Sequence, residues 1–238
     1  MSNILDICKE AADITATQRP SDLFSNESQH NQIFLGISKS TLSSIMRYGD
    51  WQDLTKEASI RTVCNKTVYP IDTIVPDFYC LLNNTVYIKD EKEKVIGSIT
   101  AEDWMRKKYF DCPDIDIKFK IQNNCIKFLK APAGGLKIVF QYRSNAVCTD
   151  AETYEEKATI TKNTDIPIFD KYIVLLGIVY RWLKRNGMDY SEEYNEYQKE
   201  INKKYGLGLA TKDIDLTGSK LDMTGDIANV ITTTKSGE

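Results

Sequence analysis

The hydrophobic and polar positions of the chain are most informative at residues 172–180, which form its longest apolar run. Lys171 and Arg181 bound this run, and apolar residues cover every side of it, which predicts a helix buried within the protein. Asn186 and Gly187 then indicate a left-handed C-cap. A membrane-spanning helix needs about twenty apolar residues, so this run is too short to cross a bilayer.

A second helix is predicted directly after this cap, because five aromatic or aliphatic residues recur at three- and four-residue steps. They are Tyr190, Tyr194, Tyr197, Ile201 and Tyr205. Asp189 is the predicted N-cap, and Glu192 completes a capping box with it. The narrow stripe favours a helical hairpin that closes a core, and the alternative is a stripe that serves a partner subunit.

The same periodicity predicts two N-terminal helices. Asn3 caps the first helix, and Pro20 stops it. Its apolar face consists of Ile4, Ile7, Cys8, Ala11 and Ile14. The second helix, of about twenty residues, ends at Gly49. Its apolar positions are Ile33, Leu35, Ile37, Thr41, Leu42, Ile45 and Met46. His30 lies at the polar start of this helix with no obvious acid or thiol partner, and it is interpreted as a surface residue.

From residue 56 the hydrophobic period changes to two, which predicts antiparallel strands. The predicted strands cover residues 58–62, 67–71, 78–82, 85–88, 95–99, 117–121, 126–128 and 136–142. The fourth and fifth strands are expected to form a hairpin that projects a charged turn into water, and the last three an antiparallel meander. Thr100 and Asp103 cap a short helix that contains Trp104.

Together these elements predict an α+β fold: a helical core, made of the N-terminal helices and the C-terminal helical hairpin, with an inserted antiparallel β-rich subdomain. We assign residues 1–55 and 149–205 to the helical core, 56–148 to the insertion and 206–238 to an extended C-terminal tail. Residues 144–164 form a long polar connection, acidic around residues 152–156. A connection of this length usually contacts a partner or is disordered.

The tail is rich in Gly, Thr, Asp and Lys and cannot form its own core. It contains a repeat, Asp-Leu-Thr-Gly at residues 215–218 and Asp-Met-Thr-Gly at residues 222–225. Its aliphatic residues alternate as in an extended strand added to the sheet edge of a partner. The predicted partner-binding residues are Ile214, Leu216, Leu221, Met223 and Ile227. The alternative is a free linker.

Composition narrows the function classes. The chain has 238 residues, of which 42% are hydrophobic, enough for a sizeable core. Its net charge is −3, so the chain lacks the excess of basic residues expected of a tight nucleic-acid binder. Residues 1–6 show no secretory leader, so assembly in a cytoplasm is expected. The six cysteines are dispersed singly and the chain has one histidine, which argues against zinc.

Catalytic motifs are also missing from the sequence: it has no phosphate loop, dinucleotide fingerprint, nucleophile elbow or metalloprotease motif. Asp114 with Asp116, and Asp213 with Asp215, are candidate ligands for a hard cation, but solvated strand residues explain both pairs more economically. Residues 106–108 form a basic cluster too short for a nucleic-acid groove. We therefore expect no catalytic residue, no cofactor and no metal.

The order of several sequence blocks is more specific than any single block. The blocks are residues 48–54 (Tyr-Gly-Asp-Trp-Gln-Asp-Leu), 69–71, 77–78, 85–87, 101–104, 126–132 (Ile-Lys-Phe-Leu-Lys-Ala-Pro), 139–145 (Val-Phe-Gln-Tyr-Arg-Ser-Asn) and 176–190. In this order and spacing they resemble the head-to-tail adaptor family of short-tailed bacteriophages. The resemblance covers about residues 3–205, excludes the tail repeat, and rests on packing motifs rather than catalytic ones.

The resemblance implies a non-enzymatic virion protein of the head–tail junction, assembled in the host cytoplasm as a dodecameric homo-oligomeric ring. Its partners are then the portal protein, the tail or nozzle proteins and further copies of itself. Genomic DNA passes through the channel without specific binding, and no membrane is involved. The alternatives are another tail ring or nozzle subunit, a packaging-associated nucleic-acid-binding protein, which the net charge disfavours, and a hydrolytic tail component, which the missing motifs disfavour.

Overall fold

The computed structural model describes residues 2–25, 28–89, 93–110 and 116–208, and this part of the chain has the predicted α+β fold. Its helices are α1 (Ile4–Ile14), α2 (Gln29–Tyr48), α3 (Ala101–Tyr109), α4 (Lys171–Arg185) and α5 (Ser191–Gly208), with one turn of 3-10 helix at Gln52–Leu54. None of the helices within these ranges is long and apolar enough to cross a membrane.

The strands of the described part form three sheets, and all the pairings between these strands are antiparallel. In chain order they are β1 (Thr55–Arg61), β2 (Val68–Pro70), β3 (Phe78–Leu81), β4 (Tyr87–Ile88), β5 (Glu93–Lys94), β6 (Phe119–Gln122), β7 (Cys125–Phe128), β8 (Lys137–Ser144), β9 (Cys148–Thr149), β10 (Glu156–Lys157) and β11 (Ile166–Pro167). The short strands β9 to β11 form a sheet of their own.

The N-terminal helices form where local capping signals predict them. The side chain of Asn3 accepts a hydrogen bond from the Asp6 amide at 2.8 Å, and Gly49 is the C-cap of α2. The first helix ends at Ile14, well before Pro20. Ile14 itself is exposed, because the helix stops there and the chain turns away, so its assignment to the apolar face is wrong.

The buried helix α4 is the centre of the helical core. Its residues 173–180 are all buried, and it packs against α1, α2 and α5. The closest approach is at Gly177, whose carbonyl accepts a hydrogen bond from Thr41 Oγ1 at 3.3 Å. A Cβ at this position would lie 2.5 Å from the Thr41 methyl and 3.2 Å from the Tyr197 ring. Only glycine lets the three helices meet at this distance.

The helical hairpin is confirmed, with a small shift in its second helix. Gly187 has a φ of 69°, as the predicted left-handed C-cap requires. The second helix begins at Ser191, two residues after Asp189, whose carboxylate accepts hydrogen bonds from the Ser191 amide and hydroxyl at 3.0 and 2.7 Å. Tyr197 and Ile201 are buried against the core, so the stripe serves its own fold along most of its length.

His30 is half-buried and contacts two aromatic rings, so it is not the surface residue that its polar neighbours indicate. Its ring lies edge-on to Phe34 and Trp182, with centroid distances of 5.0 and 5.1 Å. Its Nε2 atom lies 2.6 Å from the carbonyl oxygen of Gln18. The prediction is wrong because the first turn of α2 lies against the C-terminal half of α4, a tertiary contact that the local sequence does not encode.

The predicted meander of the last three long strands is wrong. Strands β6 and β7 pair, but the other edge of β7 pairs with β2, so β8 lies in a different sheet. There β8 pairs with β1 along one edge and with β3 and β4 along the other. The side chain of Thr62 draws the chain before β8 toward β1: its hydroxyl donates to the Ala133 carbonyl at 2.5 Å and accepts from the Leu136 amide at 2.9 Å.

The predicted hairpin forms with a different second strand. Strand β4 pairs with Glu93 and Lys94, which the prediction placed in the turn. The Val95 amide extends this pairing by donating to the Val86 carbonyl at 2.9 Å, and both valines are buried. The second strand therefore begins earlier than its apolar residues indicate, because backbone pairing does not require apolar side chains.

The described residues form two separate hydrophobic cores. The helical core draws on residues 4–54 and 146–201, and the β core on residues 60–142. Trp51 and Trp182 are both buried in the helical core, as predicted. The β core includes Phe119 and Phe140 and draws on the five-stranded sheet and on the sheet of β2, β7 and β6.

Candidate functional site

The predicted partner-binding residues Ile214, Leu216, Leu221, Met223 and Ile227 lie outside the described residues. The same holds for Asp114, Asp213 and Asp215, so both candidate cation pairs are untested. Within the described ranges, no group of three His, Cys, Asp or Glu side chains is placed to hold a metal ion. The functional surfaces of the described part must therefore be found from packing and charge.

The acidic connection is folded, not disordered. It forms the three-stranded sheet of β9, β10 and β11, with β9 in the centre. Val147, Cys148 and Ile160 enter the helical core from it. These isolated apolar residues, together with two buried aspartates, hold the connection against the helices. The length and polarity of the stretch predicted a partner contact or disorder. The sequence does not show the fold of this stretch because only three apolar residues and two aspartates hold it against the helices.

A cluster of four charged residues fixes this connection, and we call it the lysine–aspartate cluster: Asp150, Lys157, Lys162 and Asp165. The Lys157 ammonium lies 2.7 Å from each of the two aspartates, both of which are buried. Asp165 also accepts hydrogen bonds from the Thr161 and Lys162 amides, at 2.7 and 2.9 Å. Every charge in the cluster has an opposite partner, which makes its burial tolerable.

The cluster shifts the acid–base equilibria of its members. Burial opposes ionisation of Asp165, but the hydrogen bonds from Lys157 and from two backbone amides outweigh it and lower the pKa of that carboxyl. The Lys157 hydrogen bond is the main reason that the pKa of Asp150 is lowered. Burial also disfavours the Lys157 cation, yet its two aspartate partners raise its pKa to about 12. All three groups are therefore charged at neutral pH.

The lysine–aspartate cluster carries a projecting turn, residues 150–156, which we call the acidic turn. The Asp150 amide donates to the Glu155 carbonyl at 2.9 Å, and the Asp150 carboxylate accepts from the Glu152 amide at 2.9 Å. Tyr154 at the tip has a φ of 58°, which is unusual for a residue with a side chain. Its side chain is 78% exposed. The turn thus presents an aromatic ring and carboxylates to solvent on a rigid base.

A second polar cluster joins the two cores, and we call it the Asp77 joint. The Asp77 carboxylate accepts from Lys56 at 2.6 Å, from the Tyr142 hydroxyl at 2.9 Å and from the Ser144 hydroxyl at 3.0 Å. The same Lys56 ammonium lies 2.7 Å from Glu156 in the acidic connection. Burial opposes ionisation of Asp77, but these three donors, Lys56 foremost, lower its pKa.

Arg143 adds a further tie between the cores. It is buried in β8, where its guanidinium donates to the Asp50 carboxylate at 2.8 Å and to the Gly49 carbonyl at the end of α2. It also lies over the Tyr79 ring, 4.7 Å from the centroid. The C-terminal end of a helix favours a cation electrostatically. The β sheet is therefore anchored directly to the helical core.

The short helix α3 presents an exposed surface, which we call the α3 surface and define by Met105, Arg106, Lys108, Tyr109 and Phe110. The Thr100 hydroxyl accepts from the Asp103 amide, so the predicted cap is confirmed. No residue of α3 is buried, and Tyr109 and Phe110 are 68% and 69% exposed. The helix is held to the sheet by Trp104, whose ring lies 4.3 Å from the Lys120 ammonium.

A cleft of about 260 Å³ lies beside the start of α4. Trp51, Ile168 and Phe169 form part of its walls, and Asp53 and Lys204 lie at its polar side. These charged groups do not converge on one point as a catalytic set does.

Comparison with protein-family models and with curated proteins found no match for this chain. The resemblance stated from the sequence blocks therefore stays a prediction.

The sequence analysis does not predict the lysine–aspartate cluster or the Asp77 joint. The sequence signal for the cluster is two aspartates, Asp150 and Asp165, on either side of Lys157 in a polar connection. The second joins residues far apart in the chain, so it has no local signal.

Proposed function

We propose that this chain is the head-to-tail adaptor of a short-tailed bacteriophage, a structural ring subunit between the portal and the tail that surrounds the DNA exit channel. The observation that carries the proposal is the pairing of two separately packed cores through the Asp77 joint and Arg143. A ring closed by heterologous contacts needs two different faces held in a fixed relation on every subunit. Two cores tied by the partly buried Lys56–Asp77 pair and by buried Arg143 supply such faces.

The sequence blocks behind the resemblance support the proposal because several of them lie at the Asp77 joint or contact Arg143. In residues 48–54, the Gly49 carbonyl and the Asp50 carboxylate accept hydrogen bonds from Arg143 of β8. Asp77 and residues 139–145 build the joint itself. The resemblance thus rests on residues that fix one core against the other, which is the property that a ring subunit needs.

The charge of the chain suits a channel that DNA traverses. With a net charge of −3, the subunit has no overall attraction for phosphates, so a ring of copies lets DNA slide without gripping it. The chain is then a virion protein of the head–tail junction, made and assembled in the host cytoplasm. Its partners are the portal, the tail or nozzle proteins and further copies of itself.

We assign portal binding to the C-terminal tail. Ordering such a segment costs conformational entropy, so main-chain pairing and apolar burial must supply the affinity. Each fully buried aliphatic side chain contributes about 1.5–3 kcal/mol. Leu216 and Met223, at equivalent positions of the repeat, are the residues that we expect to enter apolar pockets of the portal.

Co-sedimentation with portal rings encoded in the same genome tests the proposal. Wild type should co-sediment, and the full-length variant Leu216→Asp/Met223→Asp should not, because each new charge would enter an apolar pocket. The control Thr217→Asp/Thr224→Asp adds the same charges at the alternate positions of the repeat and should bind better. Circular dichroism checks that all three proteins are folded. Failure of wild type to bind would count against the adaptor assignment, and equal binding by all three would remove the tail from docking.

A further inference from the structure

We propose that the α3 surface of one copy binds the acidic turn of the neighbouring copy, so that these two surfaces form part of the contact between subunits around the ring. This inference rests on the proposed ring. The α3 surface offers the cations Arg106 and Lys108, the first of which also pairs with Asp103 of the same helix at 2.7 Å. Met105, Tyr109 and the C-cap Phe110 lie beside these cations, and all three are exposed among the described residues. An apolar surface with a charged rim is typical of a protein–protein contact.

The acidic turn has the complementary chemistry. Tyr154 is 78% exposed at its tip, and Glu152 and Glu155 lie on either side of it. Glu152 has only a distant cation, the Lys162 ammonium at 3.9 Å, and Glu155 has no ion-pair partner within the described ranges. The glutamates can therefore pair with Arg106 and Lys108, while the tyrosine ring covers the apolar part of the α3 surface.

The rigidity of the turn favours an interaction role over a plain connection. A connection between β9 and β10 does not need a tyrosine in a left-handed conformation, which costs an L residue free energy. The lysine–aspartate cluster keeps the turn in this shape through Asp150, which is buried and paired with Lys157 and Lys162. A binding surface that is already ordered loses little entropy on association.

The occupant of the α3 surface is a second copy, not the same chain. The helix lies beside β6 through Trp104 and Lys120, the turn connects β9 to β10, and no hydrogen bond or ion pair of the described residues joins the acidic turn to the residues of the α3 surface. One turn against one short helix buries less than a standard interface. Further contacts between subunits must complete the ring. This contact is heterologous, because its two surfaces differ, so it orients all subunits the same way around the ring.

Opposite charge reversals test the contact. Variant A, Arg106→Glu/Lys108→Glu, and variant B, Glu152→Lys/Glu155→Lys, each place like charges across every subunit contact. Each alone should assemble about tenfold more weakly than wild type or worse, as measured by mass photometry and sedimentation velocity with and without portal rings. An equimolar mixture of A and B should recover rings, because alternating subunits restore attraction at every contact. Folding defects do not give such mutual rescue.

Two further variants separate the contact from general effects. Lys130→Glu/Lys199→Glu makes the same charge change at exposed positions elsewhere and should assemble like wild type. Tyr154→Gly should weaken assembly while the melting temperature holds or rises, since glycine tolerates the left-handed conformation.

Each outcome has one reading. If wild type forms no ring under either condition, the proposed function fails. If wild type assembles and variants A and B assemble equally well, only this contact is wrong. If variant A assembles normally but loses retention on DNA, the α3 surface binds nucleic acid and the contact is likewise overturned.

Discussion

The two tryptophans of the helical core have the same burial but differ in one hydrogen bond, and this difference gives a sharp prediction. Trp51 is 7% exposed and its Nε1 donates to the Ile45 carbonyl at 2.7 Å. Trp182 is 6% exposed and stacks on Phe34 with a centroid distance of 4.4 Å. Its Nε1 is buried, and the described residues provide no hydrogen-bond partner for it. Replacement by phenylalanine should therefore affect the two sites differently.

Both substitutions remove a similar volume from the core, so the cost of the smaller ring is about the same at the two sites. Trp51→Phe also deletes a hydrogen bond, which costs about 0.5–1.5 kcal/mol. Trp182→Phe removes an unpaired buried donor, and the loss of its desolvation cost should stabilise the folded state by about 1–3 kcal/mol. Trp51→Phe should thus be more destabilising than Trp182→Phe by about 1.5–4.5 kcal/mol. Trp182→Ala, which empties the site, should cost about 3–5 kcal/mol.

Guanidinium chloride unfolding followed by far-ultraviolet circular dichroism measures these free energies without relying on tryptophan fluorescence. Equal slopes against denaturant would show that the unfolded states are comparable. Trp104→Phe, outside both cores, is the control: it keeps an aromatic ring beside the Lys120 ammonium and should change stability by less than about 0.5 kcal/mol. Equal losses for Trp51→Phe and Trp182→Phe, or a larger loss for Trp182→Phe, would refute the reasoning from the unpaired donor.

Three further predictions concern other parts of the fold. Gly177→Ala should lose about 1–3 kcal/mol in the same unfolding assay because its Cβ would overlap α2, whereas Gly36→Ala, in open space on α2, should gain about 0.5–1 kcal/mol. Folding lowers the pKa of Asp165 from 3.8, so its ionised form stabilises the folded protein above about pH 4. This contribution is lost as the pH falls through the pKa of the folded state. The free energy of unfolding of Asp165→Asn should therefore fall less steeply with decreasing pH than that of wild type. Burial raises the pKa of Cys8 to about 12, so a disulfide reagent at pH 8 should label exposed Cys64 promptly and Cys8 only on unfolding; prompt labelling of Cys8 would contradict its burial.

The helices could be predicted from the sequence because their signals are local. Asn3 caps α1 through an amide three residues away, and the left-handed Gly187 ends the hairpin's first helix within its own turn. Residues 173–180 are apolar on every side of the helix, and all of them are buried. Tyr172, which was predicted to be buried with them, is 44% exposed, and its hydroxyl donates to the Glu196 carboxylate. The fold class followed from these helices and from the change of period at residue 56.

The strand pairings could not be predicted because the choice of neighbour is tertiary. An alternating pattern shows which face of β8 is buried but not which strand lies beside it. Here Thr62, seventy-four residues from Leu136, draws β8 to β1 instead of β7. Likewise, Asp77 meets Tyr142 only in the folded chain, so its role had no sequence signal.

The candidate surfaces were foreseen only in part. The sequence shows that residues 152–156 are acidic, and the length of the connection suggested a partner contact or disorder. The sequence does not show that the turn is folded. It depends on buried pairing between Lys157 and two aspartates, and burial cannot be read from residue type. The predicted tail residues remain a prediction, since they lie outside the described part of the chain.

The central claim is that this chain forms the ring between portal and tail. A reconstruction of the phage particle with the symmetry of the head–tail junction resolved tests it most directly. The account predicts a closed ring of subunits below the portal, each with the two cores described above, and with α3 of one subunit against the acidic turn of the next. Density for this fold in the distal tail or nozzle, or none in the particle, would contradict it.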